Sequence, residues 1–166
     1  MEVNPMNNKL MLFVSVLFLF AVTAGAKTKY EAVAIQNFGV SSGIEFPADY
    51  LISLHEDLKE QLEKTGQFSE VRVGDPEVSQ QNALRITGEI TKYKPGSRVQ
   101  RALFGMLAGE TKVEARIQVF DAASGQLLFS DDVDGKVTYW SPDQDSKGAT
   151  RGLAKEVAKV IKKRLL

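Results

Sequence analysis

Four groups of residues in this chain have types that could do chemistry. The first is the single histidine, His55. A general base needs an orienting partner and a nucleophile within reach, and no Ser or Cys stands with His55 in a recognisable nucleophile motif. Its place beside Leu51, Leu54 and Leu58 predicts packing at the edge of a core instead. The second group is a run of carboxylates, Asp131, Asp132 and Asp134 before Gly135, with Asp143 and Asp145 further on. A calcium loop numbered back from Gly135 would begin at Ser130 and end on Ser141, where an acidic ligand is required, so a solvated strand end is expected there. The third group, Gly105, Gly109, Thr111 and Lys112, partly matches a phosphate-binding loop. Glu110 intervenes, Thr precedes Lys, and the segment leads into a strand where a helix N-terminus is needed, so nucleotide binding is not expected.

The fourth group is the connection that runs from Lys94 through Pro95-Gly96 to Gly109. It combines Arg98 and Arg101 with four large apolar residues, Leu103, Phe104, Met106 and Leu107. One reading is an apolar patch with a basic shoulder that contacts a partner protein, a second copy of the chain or the periphery of a membrane, with Gly105 and Gly109 permitting close backbone approach. The other is a covering turn that closes one end of a sheet, since large apolar side chains are more often buried than displayed. These six residues are the candidate partner-contact set. Tyr139 and Trp140 read as a packing cluster. No catalytic, cofactor-binding or metal-ligating residue is assigned, and no cofactor is expected.

Composition narrows the function classes further. Among 166 residues, 21 are Lys or Arg and 21 are Asp or Glu, so no net charge draws the whole molecule to nucleic acid. Cysteine is absent, which removes disulfide scaffolds, thiolate zinc sites, thiol nucleophiles and the lipidated cysteine of a bacterial lipoprotein. Leu10 to Val22 is apolar except for Ser15, is preceded by Lys9, and is followed by Ala24-Gly25-Ala26. As a helix this run would span about 20 Å at ~1.5 Å per residue, short of a ~30 Å hydrocarbon core. It reads as a secretory signal peptide cleaved after Ala26, which makes the protein periplasmic with no mature transmembrane span. The remaining ~140 residues suffice for one core without staples.

The elements that must position these groups follow from periodicity. Tyr30 to Phe38 is apolar on alternate and intervening positions, as in a strand covered on both faces. Pro47 to Thr65 places Leu51, Leu54, Leu58 and Leu62 on one helical face, with Pro47 in the first turn and Gly66 where a left-handed residue ends the helix. Phe68 to Val73 is a short strand. Leu84 to Thr91 and Thr111 to Phe120 alternate with period two, sending Ile86, Ile90, Val113, Ile117 and Val119 inward and Arg85, Glu89, Glu114 and Arg116 outward. Asp121 to Gly125 turns the chain into a partner strand, Gln126 to Val133. Ser146 to Leu166 carries Leu153, Val157 and Ile161 on one arc of a second helix, for which Asp145 or Ser146 is a candidate cap. The order β-α-β-β-β-β-α predicts an α+β two-layer sandwich: a mixed, mostly antiparallel sheet of about five strands with two helices on one face.

Several blocks carry a family resemblance. They are Val33 to Phe38, the helix ending Glu63-Lys64-Thr65-Gly66-Gln67-Phe68-Ser69-Glu70-Val71, the strand Ile86-Thr87-Gly88-Glu89-Ile90-Thr91-Lys92-Tyr93-Lys94-Pro95-Gly96-Ser97-Arg98 with Gly105 to Gly109, and Val119 to Leu128. In these the chain resembles the bacterial envelope family called domain of unknown function 4410. The resemblance implies an exported protein with no established enzymatic activity and supplies no catalytic residues. Many members are lipoproteins, and this chain departs from them in having no cysteine.

The expected function is thus a non-enzymatic periplasmic or envelope-associated binding or assembly protein, with an envelope protein or a second copy as partner. The alternative is a periplasmic ligand-binding domain or enzyme whose polar residues converge only in three dimensions. A pore is not expected, because no strand pair shows a lipid-facing band of about 9–11 residues. Mass spectrometry of the protein from an envelope fraction should find Lys27 as the mature N-terminus; an intact Met1 terminus there would contradict cleavage.

Overall fold

The computed structural model describes residues 30–74, 81–96, 111–136 and 147–165. The leader with its Ala26 site, and Tyr139, Trp140, Ser141, Asp143, Asp145 and Ser146, lie outside the described residues. Strands β1 (Ala32–Ile35) and β2 (Gly39–Val40) are followed by helix α1 (Ala48–Lys64). Strands β3 (Glu70–Val73), β4 (Ala83–Lys94), β5 (Lys112–Asp121) and β6 (Leu127–Lys136) come next, and helix α2 (Lys147–Leu165) ends the fold. This is the α+β arrangement that the periodicity predicts. The sheet runs β3-β1-β4-β5-β6, with β2 also pairing β4. It is mixed: β1 is parallel to β3 and β4, β2 is parallel to β4, and the β4-β5-β6 half is antiparallel.

Period two decides which residues meet the helices. Leu84, Ile86 and Ile90 from β4 and Val113, Ile117 and Val119 from β5 are fully buried in one cluster with Val33 and Ile35. Leu54, Leu58 and Leu62 of α1 and Leu153, Val157 and Ile161 of α2 complete that cluster, so both helices cover the same face. On the other face Ala32, Ala34 and Ala83 form a small separate cluster with Ala122, which accounts for a β1 that is buried on both sides. Gly66 adopts the left-handed conformation (φ 64°) expected after α1. Pro47 stands one position earlier than expected, as the extended residue that precedes the first helical turn. In the β5–β6 turn, Asp121 Oδ1 accepts from both the backbone N–H and the hydroxyl of Ser124, each at 2.7 Å, and Gly125 takes φ 70°.

Three contacts lock the layers together. Gly135 on β6 faces α2 so closely that a Cβ there would collide with the Ala149 carbonyl and the Leu153 backbone. Asp57, buried on α1, accepts from Thr150 Oγ1 (3.4 Å) and Arg151 Nε (3.2 Å) of α2, tying helix to helix. His55 is also buried, as expected, and its Nε2 accepts the Phe38 backbone N–H at 3.1 Å. The Phe38 ring stands edge-on to the imidazole at 5.6 Å and occupies the space that a side chain at Gly88 would need.

Three exposures differ from expectation. Arg85 is half-buried, because its guanidinium lies over the Phe120 ring 4.9 Å from the centroid. Asp131, expected at a solvated strand end, is half-buried within β6. It pairs with Ile117 across the ladder and so faces the helix side, where Arg164 Nη2 reaches its Oδ2 at 3.1 Å. Glu89 and Arg116 are exposed, and Glu114 is half-buried between two lysines.

Ile117→Ala should cost about 2–5 kcal/mol in urea unfolding, and Arg116→Ala less than about 1 kcal/mol; equal costs would reverse the assigned faces. Burial holds the His55 imidazole below its ordinary range. The unfolded chain therefore takes up a proton that the folded chain refuses, and stability should fall as pH drops below about 6.5. Because His55 is the one histidine in the chain, His55→Gln should flatten stability between about pH 5 and 7. An unchanged pH profile in that variant would show that the ring is not the group responsible.

Candidate functional site

The candidate contact residues Arg98, Arg101, Leu103, Phe104, Met106 and Leu107 lie outside the described residues. The strand ends from which their connection departs and to which it returns are described. Lys94 ends β4 and Lys112 begins β5, and the two are register partners, so the connection leaves and re-enters the sheet at one place. Thr111, just before β5, is almost fully buried at 1% exposure.

Around this place the chain breaks its own alternation. Ile90 pairs with Ala115 and Lys92 pairs with Glu114, which leaves Thr91 as an extra residue on β4. Strict alternation from Ile90 would turn Lys92 toward the helices. The bulge turns it to the open face instead, where its Nζ lies 3.3 Å from Glu114 Oε1, and it sends Tyr93 to the covered side. There Tyr93 meets Phe46 at 5.0 Å and Tyr50 at 6.3 Å between ring centroids, and Phe46 meets Tyr50 at 6.0 Å, all edge to face.

Two open grooves share Thr91 and Lys92. The smaller, of about 380 Å³, runs past Ile44, Glu45, Tyr93 and Pro95. The larger, of about 490 Å³, crosses the open sheet face between Lys112, Glu114, Arg116, Asp132 and Asp134. In the larger groove charge is matched across the strands. Glu114 accepts from Lys112 Nζ at 2.6 Å; that hydrogen bond, with Lys92 beside it, holds the Glu114 carboxyl below the usual range, and the same hydrogen bond raises Lys112. Arg116 forks onto both carboxylate oxygens of Asp132 at 2.9 and 3.4 Å. No group of three or more metal-ligating side chains is assembled among the described residues. Such a surface can recognise a partner by charge register and by aromatic contact.

Sequence reasoning placed the candidate contact at this connection and missed both the bulge and the aromatic cluster beside it. A signal for the cluster exists: Phe46 and Tyr50 are four residues apart across a helix start, and Tyr93 stands where period two fails. Lys112, considered above as a phosphate ligand, is engaged with Glu114 at the start of a strand.

Among the described residues the molecule is therefore a two-layer α+β domain whose helices cover one face of a mixed sheet and whose other face is patterned with paired charges. It belongs to the family described as domain of unknown function DUF4410, whose model matches residues 44–139, more than half of the chain. No curated protein matches the sequence. Among solved structures, the fold is similar to a PelC dodecamer from Paraburkholderia phytofirmans at 20% identity and TM-score 0.55, covering 78% of this chain and 88% of that one. It is also similar to the hypothetical protein CT253 from Chlamydia trachomatis at 12% identity and TM-score 0.55, over 82% and 98% of the two chains. At these identities the likeness concerns the fold.

Deleting Thr91 removes the extra residue and leaves Ile90 followed directly by Lys92, so strict alternation by itself keeps Lys92 opposite Glu114 on the open face and Tyr93 on the covered side. The deletion should cost less than about 2 kcal/mol, whereas deleting Thr87 from the regular part of the ladder turns Leu84 and Ile86 out of the core and should cost at least about 4 kcal/mol. Urea unfolding of the two variants checks this, and equal losses would mean that Thr91 is not the extra residue of the ladder.

Proposed function

We propose that this chain is a non-enzymatic binding or assembly module of the bacterial envelope, exported through the leader that ends at Ala26, and that it acts by associating with further copies of itself. The observation that carries the reading is the Lys94–Lys112 register, which roots the Arg98 to Leu107 connection at the open end of the sheet beside an aromatic groove. Connections on rigid scaffolds are where function concentrates. The similar fold of a protein that forms a dodecamer supports self-association as the mode of action. Among the described residues no helix is long and apolar enough to cross a membrane. Contact with the envelope in this reading comes through partners or through the periphery of the bilayer.

The test is the double variant Leu103→Ser with Phe104→Ser, compared with the parent protein by native mass spectrometry and thermal unfolding, together with crosslinking in the native envelope. The parent should assemble beyond the monomer, and the crosslinks should join copies of the chain. The variant should lose assembly with its thermal midpoint nearly unchanged. A loss of several kcal/mol of stability, of the size seen for large core truncations, would make these residues core and overturn the reading.

A further inference from the structure

Among the described residues, Arg72, Arg116, Arg151 and Arg164 each hold a carboxylate, from Glu70, Asp132, Asp57 and Asp131 respectively. Arg85 holds none. Its Nε is buried and has no hydrogen-bond partner. The register explains why: Arg85 lies between Ala34 of β1 and Phe120 of β5, and neither side chain offers an acceptor. Across β1 the next residue in the row is Arg72, another cation, already engaged by Glu70. Of the acidic residues of the open face, Glu89, Glu114, Asp132 and Asp134 belong to rows farther along the strands, beyond the Thr87–Gln118 pair, and Glu70, in the row on the other side, is taken by Arg72. The Phe120 ring fixes the guanidinium plane at 4.9 Å and so pre-orients its donors. A half-buried guanidinium with no carboxylate of its own is costly unless an anion completes it, and the terminal nitrogens are where one can reach it, since Nε is closed to solvent.

We propose that Arg85 is a binding site for a carboxylate on the open face of the sheet. One guanidinium with no carboxylate of its own, set between Ala34 and Phe120, matches a singly charged, planar, two-oxygen acceptor, which a guanidinium engages through paired hydrogen bonds. The carboxylate comes from a free small acid or from an acidic side chain of a polypeptide.

The experiment follows the Arg85 Nε–H resonance and the Ala34 and Phe120 backbone amides of the full mature chain by NMR during titration. The probes are sodium acetate, an amidated hexaglutamate peptide, and sodium chloride at matched ionic strength. Saturable shifts with acetate or peptide, and not with chloride, are expected. Half-saturation by the peptide at a tenfold or lower concentration per carboxylate identifies a polypeptide source, and equal values identify a free acid. Lys155→Gln, on the exposed side of α2, should leave the response intact. Arg85→Gln should abolish it at Ala34 and Phe120, and Arg85→Lys, which keeps the charge and loses the fork, should weaken it at least fivefold. Shifts that track chloride, or that persist in the Arg85 variants, would overturn the assignment.

Discussion

Strand β4 is hydrogen-bonded along both of its sides. β1 and then β2 run parallel to it on one side, and β5 runs antiparallel on the other. Leu84, Arg85, Ile86, Glu89 and Ile90 therefore have their faces decided twice, once by each ladder, and a slip on either side would carry Leu84, Ile86 and Ile90 out of the core. The helices follow from this. α1 can cover only the face that those residues present, and α2 covers the part of the same face that extends onto β5 and β6. The bulge at Thr91 is the one place in the β4–β5 ladder where the rule is relaxed, and it lies where the strand leaves the covered region for the connection to β5.

Polar contacts join elements both within and between the layers. His55 joins α1 to the segment between β1 and β2, and Asp57 joins α1 to the first turns of α2. Arg164, near the end of α2, reaches Asp131 on β6 and lies over Phe129 at 5.8 Å. These contacts add direction to a hydrophobic burial that is itself indifferent to direction. Gly135 sets the distance: with no Cβ, β6 accepts the backbone of α2 directly.

Much of this was legible in the residues. The period-two runs placed Ile86, Ile117 and Val119 in the core, the leucine spacing placed α1, and Gly66 marked its end. Local pattern could express these features because each depends on neighbours within one element. Three features depend on neighbours across the sheet and were not legible. Thr91 looks like another outward residue until Ala115 and Glu114 are known to stand opposite its neighbours. Asp131 reads as solvated until the register with Ile117 turns it toward Arg164. Arg85 reads as an ordinary surface cation until Ala34 and Phe120 are found on either side of it. The candidate connection was legible as an interruption only, because its composition fits display and burial equally well.

The edge made by β6 bears on aggregation. Among the described residues β6 ends the sheet, and its 10-residue length leaves a long row of backbone groups with no further strand beside them. Asp131, Asp132 and Asp134 lie along that row, on both faces of the strand. Two β6 edges laid together about a twofold axis would bring these acids against their own copies. Arg116 and Arg164 neutralise Asp132 and Asp131 within one molecule and would have to serve two. The strand is thus guarded against the symmetric edge-to-edge pairing that leads to amyloid-like stacking, while contact with a differently charged surface carries no such penalty.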